Sequence, residues 1–412
     1  MIKLKTYENG LRVIVNETDF VKSVAMGILV GAGSYKETAE ENGISHFIEH
    51  VNFKGTQKRT AFEISDEIDC IGAQINAFTS KDLTCYYVKC TYEHIDHSFD
   101  ILSDIYLNST YPEEELDKER GVVIEEINMT EDTPDELCME TLSSAYFGER
   151  GYGATILGPM QNAERFSRRD ILAYKEKYYT PENTVISFAG KITFEHACEL
   201  VERYFSHLKS TKTAKLGHIN TNCLGLDKAI NKSIEQAHVA IAIPSLSITH
   251  EDRCASLCIN SILGGGMSSR LFQTVREKLG LAYSVYSYLS SYTQTGVVYF
   301  YAGVNPNKVK SAYDCICEEI TNISKNGITE RELNRAKEQL KGSTVLSGES
   351  TASQMISYGK RLLLVDQIFD LDAEFKKLSS ITLDEANEVA KKYYNLDLFA
   401  TSIVGKDVKP LR

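Results

Sequence analysis

Three polar residues inside the run His46-Phe47-Ile48-Glu49-His50 carry the first readable chemistry of this chain. On a helix, His46 and His50 lie one turn apart on the same face, with Glu49 beside them. Two imidazoles so placed can grip one divalent ion, and the neighbouring carboxylate can take a proton from water held there. The pattern H-x-x-E-H reverses H-E-x-x-H, in which the same residue types do this work from a helix. Ile44, Phe47, Ile48 and Val51 fall at i, i+3, i+4 and i+7. That spacing is an apolar stripe, so such a helix buries one side and presents the other. Read alone, the run is equally a solvated histidine pair, because zinc also needs a third protein ligand and an open fourth position.

A candidate third ligand lies 76 positions beyond His50, in the stretch Leu116 to Ile127, which reads as a helix despite Gly121. With Glu119 set at zero, Glu126 returns to about 340° two turns along, whereas Glu125 points about 120° away. Leu116, Val122 and Val123 flank the line through Glu119 and Glu126. Carboxylates amid apolar side chains are costly unless each has a cation or a donor. A metal for Glu126 and a ligand imidazole for Glu119 would satisfy both. A partly solvated amphipathic helix is the plain alternative.

H-F-I-E-H, followed by Asn52-Phe53-Lys54-Gly55-Thr56 and later by E-R-G-V-V-I-E-E-I at Glu119 to Ile127, resembles the pitrilysin/insulinase family of zinc metallopeptidases. The similarity is greatest to the branch holding mitochondrial processing peptidase and its bacterial relatives. It implies one zinc ion per chain, held by His46, His50 and Glu126, with Glu49 as general base and Glu119 behind a ligand histidine. The segment Gly72 to Ser80 resembles the family's substrate-binding edge strand, which would place Asn76, Ala77 and Phe78 against a peptide backbone. Gly264 to Phe272, leading into Val275 to Ser284, is similar to the C-terminal signature, so Arg276 and Tyr283 are expected to contact substrate. Two departures stand out. Val51 and Asn52 replace a Met and an apolar residue, which should affect packing only. Arg150 to Thr155 lacks the His-Pro-Leu common before Ile156-Leu157-Gly158, which bears on loop shape and substrate preference.

The rest of the chain must position these residues. At 412 residues it has room for two to three domains, and 42% apolar with 25% charged content is that of a soluble globular protein. No run approaches the ~18 apolar residues of a membrane span, so no membrane partner is expected. Met1 to Gly10 has no apolar signal core, and a cytoplasmic location is the expectation. The spacings of the ten cysteines, such as Cys315-x-Cys317 and Cys254-x3-Cys258, are not zinc knuckles; reduced core thiols are expected, as at Cys70, Cys85 and Cys90. A net charge of −12 argues against nucleic acid and favours cationic or mixed-charge peptides by long-range steering. Gly264-Gly265-Gly266 lacks a following Gly-Lys-Ser/Thr and reads as a Gly-rich approach to a helix rather than a phosphate loop.

The two halves echo each other. Ser23 to Val30 and Ala237 to Pro244 read as opening strands, Asn183 to Gly190 and Leu398 to Gly405 as closing ones. Each closing strand follows a helix ending in Lys-Tyr-Tyr, at Lys177-Tyr178-Tyr179 and Lys392-Tyr393-Tyr394. The expectation is an α+β fold of two homologous domains from an internal duplication, each a sheet packed with helices. A catalytic zinc domain would span 1–209, a Lys-, Thr- and Asn-rich linker 210–224, and a homologous domain without a metal site 225–412. The resemblance implies that such a chain is half of a clamshell. A homodimer would complete it in trans, with Arg276 and Tyr283 facing the partner's zinc. The expected function is a zinc endopeptidase cleaving short or unfolded peptides. The alternative is a non-catalytic peptide-binding or scaffold subunit, which metal analysis would distinguish.

Overall fold

In the computed structural model, residues 2–214, 219 and 221–412 are described. They form two compact units, each a mixed sheet with helices. The first sheet holds β1 (Ile2–Thr6), β2 (Arg12–Glu17), β3 (Ser23–Val30), β4 (Gln74–Thr79), β5 (Thr84–Thr91) and β6 (Thr184–Gly190) in the order β1-β2-β6-β3-β5-β4. The second holds β7 (Asp227–Asn231), β8 (Ala237–Ser245), β9 (Ala282–Ser291), β10 (Gly296–Val304) and β11 (Ala400–Gly405) in the order β7-β11-β8-β10-β9. Strand for strand, β2-β6-β3-β5-β4 matches β7-β11-β8-β10-β9. Among the described residues each sheet has one parallel pair, and the two are equivalent, β2 with β6 and β7 with β11. The duplication heard in the sequence is thus repeated in topology.

The strands form where both faces find cover. In β3, Val24, Met26 and Ile28 enter one core with Phe99, Phe188 and Phe205, while Ala25 and Leu29 face a second cluster around Met355. Such a strand reads as a continuous apolar run because neither face meets water. The closing helices Arg168–Tyr178 and Leu383–Tyr393 each start with a capping box, Ser167 with Asp170 and Thr382 with Glu385. Both stop before the second Tyr of Lys-Tyr-Tyr.

The compact units are not contiguous in sequence, as the expected segments 1–209 and 225–412 would be. The first comprises Met1–Ile127, Thr155–His218 and Leu346–Phe369, and the second Asn128–Ala154, Ile219–Val345 and Asp370–Arg412. Helix Thr351–Val365 therefore covers β3 and β6, and helix Pro134–Phe147 covers β8 and β11. Small residues make the first contact close: a Cβ on Gly27 would lie 2.2 Å from the Met355 sulfur. Ser187 Oγ also donates to the Met355 carbonyl at 2.8 Å. Part of the expected linker, residues 215–218 and 220, lies outside the described residues.

Gly264 to Gly266 close the helix Arg253–Gly264 rather than lead directly into one, and Phe272–Lys278 runs as a π-helix. Among the described residues no helix is long and apolar enough to cross a membrane. All ten cysteines are free thiols; most are buried, but Cys70 is exposed, because it ends its helix on the solvent side.

Within the second unit, Arg270 grips Glu332 through two bonds, Nε to Oε1 at 2.8 Å and Nη2 to Oε2 at 2.9 Å. Burial opposes ionisation of Glu332, but Arg270 and the Thr329 backbone outweigh it and hold the carboxyl down to about 2. A depressed carboxyl contributes stability that is complete above its unfolded value near ~4.3 and is lost as pH falls through the folded value. Glu332→Gln should therefore cost about 1–2 kcal/mol near pH 6, allowing for solvent screening. Urea unfolding of parent and variant should show that gap closing as the pH approaches 2. A gap independent of pH would assign the cost to packing.

Candidate metal centre

The helix Ile44–Val51 starts at Gly43, whose φ of +98° favours glycine. A Cβ there would also meet the Leu157 carbonyl at 2.4 Å. Glycine brings no capping side chain, so Glu37 serves from outside the helix. Its Oε2 accepts from Gly43 N at 2.8 Å and its Oε1 from Ser45 N at 2.9 Å, while Asn42 Nδ2 adds a third bond at 3.0 Å. Burial raises the Glu37 pKa, opposed by these donors. The Thr155 carbonyl accepts from Asn42 Nδ2 at 2.9 Å, so the stretch that departs from the family pattern braces this helix. Ile44, Phe47, Ile48 and Val51 are all buried. Their stripe fixes the helix rotation and leaves His46, Glu49 and His50 together on the other side.

The helix Glu113–Asp132 supplies the carboxylates, with Gly121 accommodated in its interior. Its buried row is Leu116, Glu119, Val123 and Ile127, whereas Val122, expected to flank the line through Glu119 and Glu126, is half exposed. At 100° per residue Val122 falls off the i, i+3, i+7 row that the core selects.

His46, His50 and Glu126 each bring one ligand atom into a group whose members lie within 4.8 Å of one another. Glu126 Oε2 is 3.6 Å from His46 Nε2 and 3.4 Å from His50 Nε2. Ligands about 2.0–2.2 Å from a tetrahedral zinc stand about 3.3–3.6 Å apart, so both separations fit. Glu125 is not in the group. Burial, with the His50 charge, lowers the His46 pKa to about 4, so its ring is neutral near pH 7. Burial also opposes charge on His50, but Glu119 and Glu126 prevail and raise it to about 9. Zinc binds an imidazole nitrogen only when it carries no proton, so a proton and a metal ion would compete for His50 Nε2. The His50 bond lowers the Glu126 pKa, against its partial burial.

Behind the group, His50 Nδ1 donates to Glu119 Oε1 at 2.9 Å, which turns Nε2 toward Glu126. Glu119 is almost fully buried, and its other oxygen is 2.7 Å from Lys54 Nζ. Burial would raise its pKa, but His50 and Lys54 lower it. Carboxylates that orient a ligand histidine are worth about 10–100-fold in metal affinity. Glu119→Gln should lose zinc affinity on that scale in a chelator competition. Unchanged affinity would mean that Glu119 does not orient His50.

Glu49 is raised by burial and Glu126, opposed by Thr79 and His50. Thr79 Oγ1 donates to Glu49 Oε2 at 2.5 Å. Neither Lys54 nor Thr79 is picked out by the sequence reading, although both lie in segments quoted for the family. The signal was a charged or hydroxyl residue whose partner belongs to another element. Asn52 also differs from the expected packing role. It is fully buried and its Oδ1 accepts from Tyr111 Oη at 2.7 Å, which accepts in turn from Lys175 Nζ at 2.7 Å. A buried amide needs such partners.

Asn76, Ala77 and Phe78 lie on β4, an edge strand that among the described residues is paired only with β5. The Ala77 N–H donates to Asn76 Oδ1 at 2.8 Å. Arg276 and Tyr283 belong to the second unit, whereas the metal group belongs to the first. The Arg276 guanidinium sits 4.7 Å from the Tyr283 and Phe272 ring centres, and Tyr283 is 79% exposed.

The family model described as "Insulinase (Peptidase family M16)" matches residues 12–160, and "Peptidase M16 inactive domain" matches residues 165–340. The chain is 41% identical over 397 residues to the "uncharacterized zinc protease YmxG" of Bacillus subtilis, covering 96% of this chain and 97% of that one. It is 36% identical to an "uncharacterized zinc protease" of Streptomyces coelicolor, covering 95% and 86%. Among solved structures, a protease from Helicobacter pylori superposes with a TM-score of 0.91 at 23% identity, over 98% of this chain and 99% of that one. A "peptidase M16 inactive domain" from Pseudomonas fluorescens gives 0.92 at 19% identity, over 100% of both.

Proposed function

The chain belongs to the insulinase family of peptidases, peptidase family M16, and from that premise we propose that it is a zinc endopeptidase of short or unfolded peptides. The observation that carries the reading is the spacing of His46 Nε2, His50 Nε2 and Glu126 Oε2 at zinc-ligand distances, with Glu49 on the same helix. The relatives' description as zinc proteases supports the choice of metal. Zinc, when bound, supplies Lewis acidity, lowering the pKa of the attacking water and drawing charge from the scissile carbonyl.

The remaining steps belong to the chain's own residues. Glu49 accepts the water proton as the oxygen bonds to the carbonyl carbon, then returns it to the amine nitrogen as the C–N bond breaks. Its raised pKa favours holding that proton between the two events. Glu119 keeps His50 in the tautomer that offers Nε2. An extended peptide would pair on the free side of β4, beside Asn76, Ala77 and Phe78, by strand addition. Backbone pairing reads little sequence, so side-chain pockets and local charge must supply selectivity, and the net charge of −12 favours cationic peptides by long-range steering.

The working enzyme, in this reading, is a homodimer. Arg276 and the exposed Tyr283 of one chain would hold the peptide at the partner's zinc, with Tyr283 donating to the developing oxyanion. The scaffold alternative is disfavoured by the intact metal group; the segment matched as an inactive domain, 165–340, contains none of its ligands. Cleavage of a peptide library read by mass spectrometry, with and without a chelator, tests the assignment. Chelator-sensitive cleavage is expected. No cleavage by protein carrying one zinc per chain would overturn it.

A further inference from the structure

We propose that Thr79 is a positioning residue that ties Glu49 to the outer strand, so that the strand receiving substrate also aims the base. This rests on the peptidase reading above. Thr79 is the last residue of β4, and its Oγ1 lies 2.5 Å from Glu49 Oε2. The destination of its one hydroxyl proton is decided by its neighbours. Thr84, its partner in register on β5, is 3.4 Å away, and the Thr84 hydroxyl already donates to the Ala32 carbonyl at 2.9 Å. The Thr79 proton therefore goes to the carboxylate, at the short distance of a charge-assisted bond.

Among the described residues no other hydrogen bond reaches the Glu49 carboxylate. With Oε2 held, Oε1 is the oxygen left to meet water. Glu49 stands on the metal helix, whereas Thr79 stands on a strand anchored by β5 on one side only. A peptide added on the free side of β4 would fix that strand, and the Thr79 hydroxyl passes its position to the base. The hydroxyl thus acts on turnover and neither on zinc nor on ground-state affinity.

The test compares Thr79→Val, Thr79→Ser and Glu49→Gln as zinc-loaded full chains on one fluorogenic peptide, with zinc affinity measured separately by chelator competition. Misplacing a catalytic group by a fraction of its reach costs up to about 100-fold, so Thr79→Val should lower kcat by about 10–100-fold with KM unchanged. Thr79→Ser should restore most of it, and zinc affinity should be the same in all. Parental turnover in Thr79→Val beside an inactive Glu49→Gln would sink the tether alone, whereas parental turnover in Glu49→Gln would sink the peptidase mechanism. A Thr79→Val loss that Ser does not restore, or one expressed in KM or zinc affinity, also overturns the proposal.

Discussion

Glu49→Gln should leave zinc bound and remove turnover. The amide has the shape of the carboxylate and keeps an oxygen for the Thr79 hydroxyl, which now donates at 2.5 Å. The metal group of His46, His50 and Glu126 does not include position 49, so its ligands are untouched. What the amide cannot do is take a proton from water, and a general base is worth about 100- to 10,000-fold. The rate should fall by at least that range while one zinc per chain is retained by elemental analysis. Loss of zinc along with activity would show that position 49 holds the metal. Cleavage at the parental rate would show that another group deprotonates the water.

Helical period gave the directions of the side chains that the structure brings together, whereas the ligand roles came from the family resemblance. The 3.6-residue repeat put Ile44, Phe47, Ile48 and Val51 in the core and left His46, Glu49 and His50 together, and it separated Glu126 from Glu125. Both inferences involve one element at a time, with burial as the arbiter. Glu37, Lys54 and Thr79 were out of reach because each acts on a residue of a different element. A cap supplied from six residues before Gly43 leaves no local motif of the capping-box kind. The exposed position of Val122 shows the limit of the same method: the period gives directions around a helix, but the neighbouring core chooses which row is buried.

The duplication was likewise visible in strand endings, because an apolar strand closing on Gly after Lys-Tyr-Tyr is local. Which helix covers which sheet was not. Helices Pro134–Phe147 and Thr351–Val365 each pack on the sheet of the other half of the sequence. For Thr351–Val365, the small residues Gly27 and Ser187 that receive Met355 show why. Local pattern specifies that a helix has a face to bury, and tertiary fit decides where.

Mixing two inactive chains, Glu49→Gln and Tyr283→Phe, should restore activity if each site is completed by its partner. The chain carries both the metal group and the Arg276/Tyr283 segment, so a heterodimer of these variants has one ruined site and one intact one. The intact site joins Glu49 of the Tyr283→Phe chain to Tyr283 of the Glu49→Gln chain. Random exchange at equal concentrations makes about half the dimers mixed, each with one of two sites restored, so about a quarter of parental activity is expected for a two-fold assembly. Tyr283 is suited to such a role because its ring is exposed and held by the Arg276 guanidinium at 4.7 Å. Its loss should fall on the transition state, since a hydroxyl that meets a developing oxyanion contributes little before the charge appears. The Tyr283→Phe parent should therefore show a low kcat with an unaltered KM. Subunit exchange must be followed independently, by mass-tagged chains. Exchange without recovery, from two demonstrably inactive parents, would place Glu49 and Tyr283 of the same chain at one site and remove the need for a dimer.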